Sequence, residues 1–194
     1  FMTATPKKFV GKNERIISMD DNNIYGDVID EITVKESIED LNLLNDYQIV
    51  TQIIKSDDYL ELLKNNPFVI DKVKLPVDVE LKLLSSALTL KKLRKEKNIK
   101  RVVSFHGRRN RARAFSGGIN KIDPKLNTFY VDGKQSGTVR QNILQSFSEN
   151  PPSLISNAQC LSEGVNVPSI DAVMFVDPKQ SKVDITQAIG RALR

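Results

Sequence analysis

Val-Val-Ser-Phe at residues 102–105 is the first of four short apolar runs that decide the expected fold of this chain. The others read Thr-Phe-Tyr-Val at 128–131, Leu-Ile-Ser at 154–156 and Ala-Val-Met-Phe-Val at 172–176. Stretches with helical patterns lie at 109–115, 139–147 and 183–193. Strands that alternate with helices predict an α/β fold, with a parallel sheet covered by helices on both faces. Ligands bind such sheets beyond the carboxyl ends of the strands, which points to the loops after residues 105, 131, 158 and 176.

The composition is typical of one globular domain, or of one domain with a short appendage. Of the 194 residues, 40% are hydrophobic and 27% are charged. A chain of this length buries enough surface to fold without disulfides. Cys160 is the only cysteine, so an internal disulfide is excluded. Neither a secretory leader nor a long apolar run is evident, and we expect a cytoplasmic protein with no membrane partner.

Basic residues are concentrated between Lys91 and Arg113. This stretch holds eleven basic residues and one acid, Glu96, a net charge of +10, whereas the whole chain carries +5. The lysines up to Lys97 are typical of a solvated helix end, where cations complement the helix dipole. The arginines that follow the apolar strand at 102–105 are interpreted as phosphate-binding residues. They are Arg108, Arg109, Arg111 and Arg113.

The first half of the chain has weaker patterns. Alternation predicts a strand at 28–34, and apolar spacing predicts a helix at 36–44. A second strand is predicted at 47–54 and a short helix at 57–64. A longer helix is expected to begin at Pro76, because apolar residues share one face from there. The residues of that face are Val77, Leu81, Leu84 and Leu88.

Two motifs follow each other at the end of the chain. Ser-Glu-Gly-Val-Asn-Val-Pro at 162–168 lies between two predicted strands, and Gln-Ala-Ile-Gly-Arg-Ala-Leu-Arg occupies 187–194. Gln187, Arg191 and Arg194 are four and three residues apart, so they share one helix face. Two arginines without an adjacent acid require an anion from elsewhere. A nucleotide γ-phosphate held by a partner lobe suits planar guanidinium groups.

These two motifs resemble motifs V and VI of superfamily 2 helicases. Residues 102–106 with the Arg-rich helix after them resemble motif IV, and Thr-Ala-Thr-Pro at 3–6 resembles motif III. The resemblance implies a three-layer RecA-like fold of the P-loop NTPase type. It implies that residues 1–12 are the tail end of a first RecA-like lobe and a linker. Residues 13–194 would then be the second, C-terminal lobe, cut just after motif VI.

The resemblance also implies roles in ATP hydrolysis. Arg191 and Arg194 are expected to act as arginine fingers on ATP, which the missing first lobe would bind together with Mg²⁺. Gln187 is expected to position ATP or water. The residues expected near the nucleotide and the lobe interface are Gly164, Asn166 and Gly190. This chain has Asn166 where many relatives carry Asp. A carboxylate at this position is therefore not treated as essential to the expected role.

The remaining implied roles concern nucleic acid. Thr3 and Thr5 are expected to couple the ATP site to it. The expected contacts with nucleic acid are Ser104, His106, Arg108, Arg109, Arg111 and Ser162. Details such as Ser-Glu-Gly are similar to bacterial type III restriction subunits and other DEAD/DEAH-type helicases, more than to RNA-type DEAD-box proteins. DNA is therefore favoured over RNA as the partner.

One motif is missing, and it limits what the chain can do alone. No Gly-x-x-x-x-Gly-Lys-Ser/Thr loop occurs, so this polypeptide is expected to bind ATP weakly and not to hydrolyse it. His106 is the only histidine and has no cluster of Cys or Asp nearby, so no metal site is expected. The expected function is the C-terminal lobe of an ATP-dependent helicase or translocase. The alternative is a non-catalytic nucleic-acid-binding or scaffold module.

Overall fold

A computed structural model describes residues 19–51, 53, 76–158 and 170–192, and only the backbone of residues 77, 182–184 and 191–192. The helices are α1 (Asn22–Tyr25), α2 (Val34–Glu39), α3 (Val77–Lys97), α4 (Arg109–Ile122), α5 (Gly137–Glu149) and α6 (Lys182–Ala192). The strands are β1 (Arg101–Phe105), β2 (Asn127–Asp132), β3 (Ser153–Ala158) and β4 (Ala172–Phe175). The four strands predicted at 102–105, 128–131, 154–156 and 172–176 are therefore present. The helices predicted at 109–115 and 139–147 are also present and are longer than expected.

The four strands form one parallel sheet in the order β2-β3-β1-β4. In the centre, Val102 of β1 is aligned with Leu154 of β3 on one side and with Ala172 of β4 on the other. The chain leaves β1 towards β2 and leaves β3 in the opposite direction, towards β4. The carboxyl ends of β1 and β3 therefore flank a topological switch point, where open α/β sheets form their ligand crevice.

Alternating strand side chains divide the core into two layers. Val102 and Leu154 pack with α3 and α4 on one face of the sheet. Val103 and Ile155 pack with α5 and α6 on the other face. Because successive side chains of a strand point to opposite faces, each strand contributes to both layers. The result is the three-layer α/β fold that the sequence predicted.

The buried face of helix α3 overlaps the predicted one at Leu84 but is centred elsewhere on the helix. It begins after Pro76, as expected. Its most buried apolar side chains belong to Leu83, Leu84, Ala87 and Leu90, whereas Leu81 and Leu88 of the predicted face are half-buried. The buried side of α3 packs in one core cluster with α4 and with Val102 and Leu154 of the sheet. The position of the buried apolar side chains on α3 is therefore set by where α4 lies, which hydrophobic periodicity does not indicate.

Part of the basic stretch holds α3 to the carboxyl end of α4. Lys91 Nζ donates to the carbonyl of Ile122 at 2.7 Å, and Arg94 lies 3.4 Å from the Asp123 carboxylate. Helix α4 has 14 residues, so this contact lies about 20 Å from the arginines at its amino end. The stretch of net charge +10 is therefore divided between two sites and does not form one patch.

Residues 19–53 differ from the prediction. Residues 28–33 form no strand, and the helix predicted at 36–44 is the shorter α2. The physical cause is a capping box. Glu36 N–H donates to Thr33 Oγ1 at 3.1 Å, and Thr33 N–H donates to the Glu36 carboxylate at 2.8 Å, which starts a helix where a strand was expected. Residues 47–51 and 53 also form no strand, and residues 57–64 lie outside the described residues.

Candidate nucleic-acid interface

The turn that joins β1 to α4 forms one wall of a cleft at the carboxyl edge of the sheet. The cleft has a volume of about 400 Å³, and its lining residues are Gly107, Arg108, Arg109, Asn110 and Ala158. Ala158 is the last residue of β3, so the cleft lies at the topological switch point. Arg108 and Arg109 are exposed and occupy the N-cap and first positions of α4. Two guanidinium groups and the positive end of a helix dipole suit an anion such as phosphate.

Asp177 connects the turn to the end of β4. Its carboxylate accepts a hydrogen bond from Gly107 N–H at 2.8 Å and another from Arg111 Nη1 at 2.5 Å. Asp177 is 5% exposed, and the Arg111 side chain is 23% exposed. Arg111 is thus engaged inside the chain, which differs from the prediction that it contacts nucleic acid. Sequence analysis missed Asp177, although its position in the loop after residue 176 was a usable signal.

Ser104 and His106 lie beneath the cleft. They are 0% and 1% exposed. His106 Nε2 lies 3.0 Å from Ser104 Oγ, and the imidazole packs against Phe115 with ring centres 5.0 Å apart. Burial of both side chains does not fit the direct contact with nucleic acid that the sequence suggested. They instead anchor the strand end from which the turn begins.

Burial lowers the pKa of His106 from 6.5 to about 4, despite an opposing effect of the Asp177 carboxylate. Between these two values the unfolded chain binds a proton that the folded chain does not, so stability falls as the pH decreases. We expect a loss of about 2 kcal/mol from this residue between pH 7 and pH 5. Urea unfolding at both pH values checks this, because the His106→Gln variant should lose less stability on acidification. Equal losses in the two proteins would contradict the assignment.

A second polar cluster lies at the end of β2. Tyr130 OH donates to Asp132 at 2.7 Å, and the guanidinium carbon of Arg113 lies 5.2 Å from the centre of the Tyr130 ring. The hydrogen bond from Tyr130 lowers the pKa of Asp132. The pKa of Tyr130 is raised to about 12, mainly by burial and in second place by the hydrogen bond to Asp132. The bond therefore persists at neutral pH, and Arg113 stacks on a protonated phenol.

Helix α6 carries Gln187, Gly190 and Arg191, three of the residues predicted to act near ATP. It joins the second core layer through Ala188, which is fully buried. Gln187 and Gly190 are half-buried on the same helix. A Cβ added at Gly190 would meet no described atom within 4 Å. The backbone of Arg191 continues the helix, so Gln187, Gly190 and Arg191 are placed on one helix as predicted.

Several other predicted residues lie outside the described residues. They are Thr3, Thr5, Ser162, Gly164, Asn166 and Arg194. The proposed boundary after residue 12 lies outside them as well. Strand β3 ends at Ala158, shortly before the motif at 162–168. The roles of these residues stay predictions that follow from the resemblance.

Metal and membrane binding were also considered. Within residues 19–51, 53, 76–158 and 170–192, no three His, Cys, Asp or Glu side chains are grouped as metal ligands. None of the helices in the same part of the chain combines the length and apolarity needed to span a membrane.

Comparison with known proteins shows several related sequences. The family model of the helicase conserved C-terminal domain matches residues 82–194. A protein of African swine fever virus named as a probable helicase is 26% identical over 199 residues, which cover 100% of this chain and 20% of the viral protein. The ATP-dependent RNA helicase dbp7 of Aspergillus clavatus is 34% identical over 101 residues, which cover 51% of this chain and 13% of that protein. The chain thus spans a fifth or less of these two relatives.

One solved structure has the same fold over almost the whole chain. It is the ATP-dependent type ISP restriction-modification enzyme LlaBIII bound to DNA, with a TM-score of 0.75 and 22% identity. The match covers 99% of this chain and 14% of that enzyme. The parallel sheet with helices on both faces is the RecA-like arrangement of helicase C-terminal domains. The match over residues 82–194 shows that the chain belongs to the helicase conserved C-terminal domain family.

Proposed function

We propose that this chain is the C-terminal lobe of a cytoplasmic, ATP-dependent superfamily 2 helicase or translocase. In this proposal a first RecA-like lobe holds ATP and Mg²⁺, and Arg191 and Arg194 supply positive charge to the γ-phosphate. Gln187 positions ATP or water, while Gly164, Asn166 and Gly190 lie near the nucleotide. Thr3 and Thr5 couple that site to nucleic acid. The cleft between β1 and β3 grips the nucleic-acid backbone.

The observation that supports this most directly is the placement of Arg108 and Arg109. Both are exposed at the amino end of α4, and both line a cleft of about 400 Å³. Contacts with phosphate oxygens position a protein on nucleic acid without reading its sequence, which suits a protein that moves along the strand. DNA is favoured over RNA because the motifs at 162–168 and 187–194 resemble those of restriction-type helicases. LlaBIII, which shares the fold, was solved bound to DNA.

The alternative is a non-catalytic nucleic-acid-binding or scaffold module. Such a module needs the cleft, but it does not need an arginine on a helix at the opposite face of the sheet. Helix α6, which includes Arg191, packs with the second core layer and lies on the opposite face from α4. Arginines at two separate places are expected when Arg108 and Arg109 serve nucleic acid and Arg191 serves ATP.

The cleft assignment predicts a change in salt dependence. In the full-length protein, the double variant Arg108→Gln, Arg109→Gln should bind duplex DNA more weakly, because two phosphate contacts are lost. The slope of log K against log salt concentration should become shallower by about 0.9 for each lost contact. Fluorescence anisotropy between about 50 and 200 mM salt measures both quantities.

A matched control is available at the carboxyl end of α3. The double variant Lys95→Gln, Lys97→Gln also removes two exposed positive charges. These lysines lie beside the carboxyl end of α4, whereas Arg108 and Arg109 lie at its amino end. This control should retain most of the affinity and the slope of the wild type. If the two double variants behave alike, net charge accounts for binding and the cleft has no special role.

A further inference from the structure

We infer that Arg111 and Asp177 form a positioning pair that sets the shape of the 107–110 turn and that neither residue contacts nucleic acid itself. The inference rests on the proposed function, in which this turn grips the nucleic-acid backbone. Asp177 was not among the predicted site residues, and Arg111 was predicted to contact nucleic acid directly. The pair is called the brace below.

The brace attaches the chain on both sides of the cleft residues. One carboxylate oxygen of Asp177 accepts from Gly107 N–H, and the other accepts from the Arg111 guanidinium. Arg108, Arg109 and Asn110 are the three residues between these two attachment points. The carboxylate therefore restrains the segment that lines the cleft at its first residue and in the first turn of α4.

Asp177 is itself held by the sheet. It follows β4, which pairs in parallel with β1 and aligns Phe175 with Phe105. Val176 N–H, one residue before Asp177, donates to the Phe105 carbonyl at 3.1 Å. The approach is also close, because a Cβ added at Gly107 would lie 3.6 Å from the Asp177 carboxylate. The pairing of β4 with β1 therefore sets the position of Asp177, and Asp177 in turn sets the position of the turn.

Burial makes the brace costly to exchange for a phosphate. Asp177 is 5% exposed, so removing Arg111 leaves a buried negative charge that only the Gly107 N–H still contacts among the two partners described. Arg111 would have to abandon this carboxylate to reach a phosphate in the cleft. Arg108 and Arg109, in contrast, are exposed beside the cleft. A turn that is ordered before binding loses less conformational freedom on binding, so the brace raises affinity without making a contact.

The salt dependence of binding separates a positioning role from a direct contact. The experiment measures duplex DNA binding by the full-length protein over a salt series, together with the melting temperature of each variant. We expect Arg111→Gln and Asp177→Asn each to weaken binding by roughly tenfold, which corresponds to about 1.4 kcal/mol. The slope should not change, because no phosphate contact is lost.

Two features of the variants keep the test informative. Asp177→Asn retains an oxygen that can accept from Gly107 N–H, so the fold is disturbed less than by alanine. Arg111→Lys retains the positive charge beside Asp177 and should restore most of the affinity. A purely structural role would lower the melting temperature of Arg111→Gln and leave the affinity of the folded protein unchanged.

Three results would overturn the inference. A slope that becomes shallower by about 0.9 in Arg111→Gln would make Arg111 a direct phosphate contact. Tighter binding with a steeper slope in Asp177→Asn would mean that Asp177 withholds Arg111 from nucleic acid. Unchanged affinity in both variants, while the Arg108→Gln, Arg109→Gln protein binds weakly, would show that the turn does not need the brace. If that double variant also binds normally, the proposed grip fails, and the inference fails with it.

Discussion

Replacing Arg191 with alanine in the full-length protein is expected to lower kcat for ATP hydrolysis by about 10³-fold or more, while ATP binding persists. A guanidinium group at the γ-phosphate stabilises charge that develops in the transition state, so its loss affects turnover more than binding. The backbone of Arg191 continues α6 four residues after Gln187. Phosphate release and nucleotide binding should be measured on the same preparation.

Two variants control for the integrity of α6. Thr186 is exposed on this helix, and Thr186→Ala should retain normal turnover. Arg191→Lys keeps the charge but cannot make the bidentate contact, so it should remain severely impaired. Turnover that survives Arg191→Ala would refute the arginine-finger role. It would also favour the non-catalytic module as the function of this chain.

The second large effect concerns the core that supports the cleft. We expect Phe115→Ala to reduce the free energy of unfolding by about 3–5 kcal/mol. Phe115 is fully buried between the sheet and α3, and its ring packs against His106 directly beneath the turn. Removing the ring leaves a cavity that the surrounding helices cannot close without moving α4. Urea unfolding of the variant and the wild type measures the loss.

Phe175→Ala is the matched control, because it removes the same side chain at the outer strand of the sheet. Phe175 is 36% exposed and stacks on Phe105 with ring centres 5.6 Å apart. Phe175→Ala should therefore lower the free energy of unfolding clearly less than Phe115→Ala does. If the two variants lose similar amounts, the packing of α3 and α4 on this face of the sheet is not the main source of stability.

In the first half of the chain, the structure lacks a strand that the sequence predicted. Val28 and Ile29 suggested a strand, yet these residues are 80% and 100% exposed and lie outside any strand. The deciding signal was present in Thr33-Val34-Lys35-Glu36, a capping box that begins a helix. Alternating hydrophobicity describes a strand only where a neighbouring strand supplies hydrogen bonds, and no strand among the described residues pairs with residues 28–33.

The basic stretch shows a different limit. Its charge was evident from composition, but its division was not. Lys91 and Arg94 bind the carboxyl end of α4, Arg111 binds Asp177, and Arg108 and Arg109 line the cleft. Which of these cations remain available for phosphate depends on partners that are distant in the sequence.

The sequence by itself determined the class of the fold and the edge of the sheet where ligands are expected. The apolar runs at 102–105, 128–131, 154–156 and 172–176 alternate with helical patterns, and that local order is sufficient to predict a parallel sheet with its ligand loops after residues 105, 131, 158 and 176. The strand order then places the cleft between β1 and β3. Only the tertiary structure decided which polar side chains work together there. Arg111 and Asp177 are 66 residues apart, and Ser104 and His106 alternate with core residues yet lie buried. Hydrophobic periodicity indicates on which face of its own helix or strand a side chain lies. The partner that the side chain contacts depends on which distant strands are neighbours in the sheet.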